Sequence, residues 1–174
     1  FRSGKIFMTQ PQGKILQTFT NTEEVVQALG LTVNNIDLPV QIASTGFPAL
    51  LTPINSLRAM QRIVLNLPLL KVLLEKTGVD MIYPFTRQTL DENNSIHARG
   101  FAPFVGIPED PATGSVAGAL GYYLNHKNPK EEKIVIEQGY EMKRPGLIDV
   151  TVNNTKIRVG GKTRMVFKAS LYLE

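Results

Sequence analysis

Two acidic residues and a turn of small residues lie side by side in the middle of the chain and could do chemistry. The segment is Glu109-Asp-Pro-Ala-Thr-Gly-Ser115. Backbone N–H groups at a helix start lack partners and share the positive end of the helix dipole, so a helix beginning in Thr113-Gly-Ser115 could bind a carboxylate or phosphate. A side-chain carboxylate beside such a turn could exchange a proton with the ligand. The segment therefore predicts an anion-binding turn with Glu109 and Asp110 next to it.

The same residue types also have a purely structural explanation. An Asp before a Pro often opens a turn, and Ser or Thr often caps a helix. Small residues following the turn often mean only that a helix packs closely against its neighbours. These small residues are Ala117, Gly118, Ala119 and Gly121. Residue types alone leave both explanations open.

The element that must position the segment is a helix predicted at about residues 112–126. Pro103, Pro108 and Pro111 favour extended or turning backbone before it. Large apolar residues then recur at spacings of three and four positions. They are Val116, Leu120, Tyr123 and Leu124. The spacing is typical of a buried helix.

The rest of the chain reads mostly as strands. Strands are predicted at residues 5–10, 15–19, 36–44, 49–54, 79–86, 96–101, 134–138, 147–152, 156–159 and 164–173. Helices are predicted from Asn21 or Thr22 to Gly30, at 58–66 and at 69–76, the last two divided by Pro68. The pattern favours an α+β fold with one sheet around a buried helix.

Composition narrows the function classes. At 174 residues, 43% hydrophobic and 20% charged, the chain is typical of a globular domain with a core of its own. No apolar run approaches the roughly 20 residues of a membrane span and no signal-peptide pattern opens the chain, so we expect a cytoplasmic protein with no membrane partner. The absence of cysteine excludes disulfides, thiol nucleophiles and thiolate metal sites from this chain.

The formal net charge of +4 comes from the end of the chain. Residues 127–174 hold ten Lys and Arg against six Asp and Glu, whereas the two kinds balance at nine each before them. These basic residues are scattered along predicted strands without interleaved aromatic side chains. A solvated face is favoured over a nucleic-acid site.

The two histidines, His97 and His126, are interpreted as structural or surface residues. The two histidines come with no nearby carboxylate pattern of the kind a metal site needs, so no metal site is predicted. Val159-Gly-Gly-Lys162 lacks the spacing of a phosphate loop or a dinucleotide fingerprint. We therefore expect a reaction without metal or cofactor.

The central segment, preceded by Arg99-x-Phe-x-Pro103 and followed by a small-residue helix, resembles the signature of the phenazine-biosynthesis (PhzF-like) family. Four further segments resemble family landmarks in the same order: Ser44-Thr-Gly-Phe-Pro-Ala-Leu-Leu51, Glu137-Gln-Gly139, Lys143-Arg-Pro145 and Val159-Gly-Gly161. The resemblance implies the diaminopimelate-epimerase-like fold, in which two half-domains each wrap a curved sheet around a central helix and the ligand lies between them. It assigns residues 20–174 to the C-terminal half-domain and residues 1–19 to the end of the preceding half-domain or the connection to it.

The resemblance also implies a function and roles for residues. The expected activity is a cofactor-independent isomerase or epimerase that shifts a proton on a small carboxylate-bearing substrate. Asp110 and Ser115 are the expected catalytic residues, and Thr113, Gly114 and Ser115 bind the substrate carboxylate. Arg99 is expected to orient the Glu109-Asp110 loop, with Glu109 either facing the site or turned away as a structural acid.

The family's acid/base glutamate and its Gly-Asn-Pro type motif belong to the first half and are not found here. The one Asn-Pro pair, Asn128-Pro129, lies downstream in a charged loop, and the chain opens on Phe1 within a predicted strand. The expected partners are therefore the missing N-terminal half or a partner chain, and a second copy in a homodimer. The alternative is a noncatalytic small-anion-binding or assembly module of the same fold.

Overall fold

One long sheet wraps around a central helix in the computed structural model, which describes residues 4–37, 39–153 and 156–170. The strands are β1 (Lys5–Gln10), β2 (Lys14–Phe19), β3 (Val40–Ser44), β4 (Pro48–Pro53), β5 (Ile82–Thr86), β6 (Ile96–Ala98), β7 (Gly100–Ala102), β8 (Ile107–Asp110), β9 (Lys133–Gln138), β10 (Gly146–Asn153) and β11 (Lys156–Lys162). The helices are α1 (Thr22–Ala28), α2 (Leu57–Gln61), α3 (Leu67–Thr77) and α4 (Gly114–Lys127), with 3-10 turns at Val33–Asn35 and Pro103–Val105.

The strand order shows how the sheet closes around the helix. It runs β1-β11-β10-β9-β6-β5-β4-β3-β2, while β7 and β8 form a hairpin attached through β5. The pairs β4/β5 and β6/β9 are parallel, so the sheet is mixed. Consecutive strands β1 and β2 lie at its opposite ends. Since the four Cα steps between them span at most about 15 Å, the sheet must curl until its ends approach each other.

Helix α4 fills the inside of the curl. It contacts β2, β3 and β4 near one end of the sheet and β9, β10 and β11 near the other. Its small residues permit this approach: a Cβ at Gly118 would lie 2.9 Å from the Thr45 hydroxyl oxygen, and one at Gly121 would overlap Val150. A second apolar cluster, formed by α1, α2 and α3, covers the outer face of β3, β4 and β5. The buried central helix and the α+β class agree with the sequence-based prediction.

Several predicted boundaries were wrong for identifiable reasons. The strand predicted at 36–44 begins only at Val40. Pro68 does not divide two helices but lies in the first turn of α3, where its missing N–H is not needed. The strand predicted at 96–101 divides at Arg99 into β6 and β7. The central helix runs from Gly114 to Lys127 rather than from 112 to 126.

The strand predicted at 164–173 does not form over the described residues 164–170, which are exposed. The Thr163 N–H donates to the carbonyl oxygen of Gly4 (2.9 Å), the first described residue, and no hydrogen bond pairs residues 164–170 with another described segment. Residues 171–173 lie outside the described residues. At the other end, β1 and β2 pair with β11 and β3 within the sheet, and the assignment of residues 1–19 to a preceding half-domain stays a prediction.

Within the described residues, no helix is both long and apolar enough to cross a membrane.

Candidate active site

The start of α4 lies where β8 ends, because Pro111 and Ala112 connect Asp110 directly to Thr113. The first hydrogen bond inside the helix runs from the Ala117 N–H to the Thr113 carbonyl oxygen (3.0 Å). The N–H groups of Gly114, Ser115 and Val116 therefore have no acceptor within the helix, and of these residues Val116 is fully buried while Gly114 and Ser115 are not. No other part of the described chain accepts a hydrogen bond from them. Ser115 is exposed and Gly114 half-buried, so this turn faces solvent.

The Asp110 side chain turns toward this helix start. Its Oδ2 accepts a hydrogen bond from the Thr113 hydroxyl (2.8 Å), and its Oδ1 accepts a longer one from the Ala112 N–H (3.3 Å). Local bonds of this kind are the reason Asp is favoured in turns. The half-buried carboxylate is thereby held beside the two free N–H groups.

Thr113 is the residue that caps the helix by position but not by its side chain. Its hydroxyl makes no cap hydrogen bond and instead links Asp110 to the Gln138 amide nitrogen, from which it accepts at 2.9 Å. Thr113 is 5% exposed. The structural explanation of Thr113 as a side-chain helix cap is therefore wrong.

Gln138 and Tyr83 belong to the site but were missed by reasoning from the sequence. Gln138 ends β9, and its amide contacts both Asp110 and Thr113. The Tyr83 hydroxyl donates to Gln138 Oε1 (2.7 Å), and burial, followed by the charge of Asp110, raises the pKa of this phenol above its ordinary value. The Glu137-Gln-Gly139 segment was noticed through the family resemblance, yet nothing in its spacing indicates a contact with residues 25 positions away.

Arg99 and Glu109 are brought together in a two-pronged ion pair. Arg99 Nε and Nη2 donate to the two Glu109 carboxylate oxygens at 2.8 and 2.9 Å. Nη1 donates to the Met60 carbonyl oxygen (3.0 Å), and the guanidinium stacks on the Phe101 ring. Glu109 thus points away from Asp110 toward the outside of the hairpin, as neighbouring residues of a strand do. That Arg99 orients the loop stays a prediction, for which this contact supplies the geometry.

His97 is buried and has two carboxylate neighbours that its surroundings in the sequence do not show. Its Nδ1 lies 2.8 Å from Glu137 and its Nε2 lies 3.0 Å from Glu141, which are 40 and 44 residues away along the chain. Burial acts to lower the pKa of His97, but the hydrogen bonds to Glu141 and Glu137 outweigh burial and raise it. Burial acts to raise the pKa of Glu137, but hydrogen bonds from the Leu90 N–H, Asn94 and His97 outweigh it and lower the pKa. Each ring nitrogen thus faces a carboxylate oxygen, an arrangement that favours the protonated ring.

His126 is not brought into the site. It lies on the exposed last turn of α4, stacked on Tyr122, about 18 Å from Gly114 at 1.5 Å rise per residue. Within the described residues there is also no group of three His, Asp or Glu side chains that could hold a metal ion.

The family model for phenazine biosynthesis-like proteins matches residues 2–169. The chain belongs to this family. An uncharacterized isomerase of Bacillus subtilis, YfhB, is 31% identical over 158 residues, which cover 87% of this chain and 54% of that protein. An uncharacterized isomerase of Escherichia coli K12, YddE, is 30% identical over 162 residues, which cover 86% of this chain and 54% of that protein. The chain therefore spans about half the length of these curated relatives.

Solved structures of the family have the same fold. A phenazine biosynthesis protein of the PhzF family from Bacillus anthracis superposes with a TM-score of 0.81 at 27% identity, over 91% of this chain and 57% of that one. A predicted epimerase from Pseudomonas aeruginosa superposes with a TM-score of 0.77 at 29% identity, over 98% and 59%. The predicted family and its curved sheet around a central helix are confirmed. The roles of individual site residues stay predictions.

Proposed function

We propose that this member of the phenazine biosynthesis-like family is part of an isomerase that shifts a proton on a small carboxylate-bearing substrate without a cofactor. The N–H groups of Gly114 and Ser115 bind the substrate carboxylate, assisted by the Ser115 hydroxyl. Asp110 faces the substrate and handles the proton or a hydrogen bond there, while Thr113 supports both. Arg99 holds the loop in place through Glu109.

One observation carries this proposal. Two backbone donors without an acceptor in the described chain lie at the solvent-facing start of a 14-residue helix, directly beside a carboxylate held by Thr113. Donors at such a position favour an anion. A carboxylate fixed next to a bound carboxylic acid can accept a proton or a hydrogen bond from the adjacent carbon or its substituent. The names of the relatives, uncharacterized isomerases, support the same reaction class.

The proposal requires a second acid/base group from outside this chain. Glu109 cannot serve, because Arg99 engages both of its oxygens. We propose that a glutamate in an N-terminal half, present as a preceding segment or as a partner chain, supplies this group across the cleft. A cytoplasmic homodimer is the proposed setting of the complete enzyme.

A noncatalytic anion-binding or assembly module is the second candidate. The ion pair between Arg99 and Glu109 favours this candidate. Because Glu109 is engaged there, Asp110 is the one carboxylate that contacts the helix start within residues 4–37, 39–153 and 156–170. Such a module would bind small anions at Gly114 and Ser115 without moving a proton.

Proton exchange separates the two candidates. The protein, together with the N-terminal half, is incubated in deuterated water with small amino and hydroxy acids, and deuterium uptake at carbon is followed by mass spectrometry. We expect uptake that Asp110→Asn reduces by about 10³-fold, as for loss of a general acid/base group. Asp80→Asn, an exposed and remote change of the same kind, should leave uptake unaltered. Anion binding without any uptake would favour the noncatalytic module.

A further inference from the structure

Gln138 has contacts that fix the orientation of its amide. Oε1 accepts from the Thr113 N–H (3.2 Å), a group that can only donate. Nε2 donates to the Asp110 carbonyl oxygen (2.6 Å), a group that can only accept. If the amide were flipped, its NH₂ group would face the Thr113 N–H and its oxygen would face the Asp110 carbonyl oxygen. Neither pair could form a hydrogen bond, and Gln138 is fully buried, so water could not replace the lost partners. The two backbone groups therefore allow one orientation.

That orientation decides the direction of the remaining hydrogen bonds. Because Oε1 is an acceptor, the Tyr83 hydroxyl must donate to it (2.7 Å). Because the second Nε2 proton goes to Thr113 Oγ1 (2.9 Å), the single hydroxyl proton of Thr113 is left for Asp110 Oδ2 (2.8 Å). Every donor and acceptor of the Gln138 amide is then used. Asp110 receives hydrogen bonds and gives none.

Two glycines allow the backbone to approach the network closely. A Cβ at Gly100 would lie 2.9 Å from Thr113 Oγ1 and 3.3 Å from Gln138 Nε2. A Cβ at Gly139, where φ is +85°, would lie 2.7 Å from the Pro111 carbonyl oxygen. Strand β7 and the residue that follows β9 therefore approach the turn through glycine backbone.

We propose that Gln138 is a positioning residue of the site. Held by Tyr83, its amide sets the direction of the hydrogen bonds around the Asp110–Thr113 turn. As a result, the Asp110 carboxylate acts as a hydrogen-bond acceptor toward a ligand bound at the free N–H groups. The proposal rests on the proposed function for the identity of that ligand. It adds two residues to the site, Gln138 and Tyr83, that act through Thr113 and Asp110 without touching the substrate.

The test uses inorganic sulfate as the probe and the amide NMR signals of Gly114 and Ser115 as the readout. Gln138→Glu keeps the size of the side chain but, as a carboxylate, cannot donate to the Asp110 carbonyl or to Thr113. We expect it to weaken sulfate binding about tenfold at pH 7.5, equivalent to loss of one hydrogen bond to a charged group. Gln41→Glu, the same change on the distant β3, should leave the affinity unaltered.

A pH profile distinguishes positioning from a general loss of structure. Among the described residues, the titratable side chains hydrogen-bonded to Gln138 or to Thr113 are those of Tyr83 and Asp110. Protonation of the carboxylate introduced by Gln138→Glu restores one O–H donor to the network. The difference in affinity between the wild type and Gln138→Glu should therefore narrow as the pH falls toward about 5. A folded Gln138→Glu variant that binds sulfate as tightly as the wild type at pH 7.5 would overturn the proposal.

Two further measurements keep the test decisive. If Gln138→Glu does not fold, Tyr83→Phe takes its place, with sulfate binding expected to weaken about two- to threefold and the Gln138 side-chain amide protons expected to exchange faster. No change in either quantity would overturn the proposal. If the wild type does not bind sulfate, the proposed carboxylate site fails, and the hydrogen-bond network is judged by itself. The side-chain amide protons of Gln138 should then exchange with solvent far more slowly than those of the exposed Gln12. Equal exchange rates would refute the network.

Discussion

Two polar clusters lie on opposite faces of β9 and differ in which hydrogen-bonding groups they leave without a partner. The outer cluster consists of Glu137, His97 and Glu141, and the inner cluster of Gln138, Asp110 and Thr113. Adjacent residues of one strand supply them, since Glu137 and Gln138 point to opposite faces. The outer cluster is closed: both ring nitrogens and both Glu137 oxygens have partners, although Glu141 Oε2 is buried without one. The inner cluster ends at two N–H groups that face solvent.

The difference separates a polar cluster that joins elements of the fold from one that lies beside the proposed anion site. In the outer cluster the His97 ring and the Glu137 carboxylate are fully paired and join β6, β9 and the 87–95 loop, and Glu141 Oε2 alone is left without a partner inside the protein. In the inner cluster, the neutral Gln138 amide holds the Asp110–Thr113 turn, and the N–H groups of Gly114 and Ser115 beside it stay without a partner in the described chain. Polar burial alone therefore does not distinguish the two clusters, whereas the open N–H donors beside the Asp110 carboxylate do.

The largest effect is expected at Glu137. Its carboxylate accepts from the Leu90 N–H (2.6 Å), the Asp91 N–H (3.2 Å) and the Asn94 amide (2.7 Å), and it pairs with His97. Glu137→Gln would turn an NH₂ group toward these donors, so we expect a loss of about 3 kcal/mol in unfolding free energy, measured in urea. Glu132→Gln, at an exposed site just before β9, should change it little. A comparable loss in both variants would remove the distinction between the clusters.

A smaller loss of stability but a larger loss of binding is expected at Gly100. In Gly100→Ala the new methyl would meet Thr113 Oγ1 and the Gln138 amide, and overpacking of this kind costs about 1–3 kcal/mol. Gly100→Ala should weaken sulfate binding at Gly114 and Ser115. Glu137→Gln should leave the sulfate affinity of the folded protein unchanged. If the two variants affected sulfate binding equally, the clusters would not act separately.

The smallest effect is a slope of stability with pH. Burial acts to lower the pKa of His97 but the hydrogen bonds to Glu141 and Glu137 raise it, so the folded-state pKa exceeds the ordinary value of 6.5. The contribution of the protonated ring is complete below the unfolded-state pKa and is lost as the pH rises through the folded-state pKa, by about 1.4 kcal/mol for each unit of pKa difference. Urea unfolding from pH 6 to 9 should show this decline, His97→Gln should remove it, and His126→Gln should retain it. An unchanged slope in His97→Gln would contradict a charged ring.

The sequence predicted what depends on local chemistry. The proline-rich approach, the small-residue helix and the acidic turn at Asp110 were recognisable, because each is encoded within a few residues. The partners of that turn were not: Gln138 reaches Thr113 from 25 positions away, and His97 meets Glu137 across the parallel pair β6/β9. The strand at 164–173 was predicted from a strand-like run of residues, but strand formation also requires a neighbouring backbone, and over the described residues 164–170 no such pairing is found.

The central claim is that the start of α4 binds a carboxylate beside Asp110. The most direct measurement is a titration of the isotope-labelled protein with a short carboxylic acid such as lactate, following the backbone amide signals. We predict saturable shifts centred on Gly114 and Ser115, with smaller shifts at Asp110 and none at His97. Signals of Gly114 and Ser115 that stay in place while other amides respond would contradict the claim.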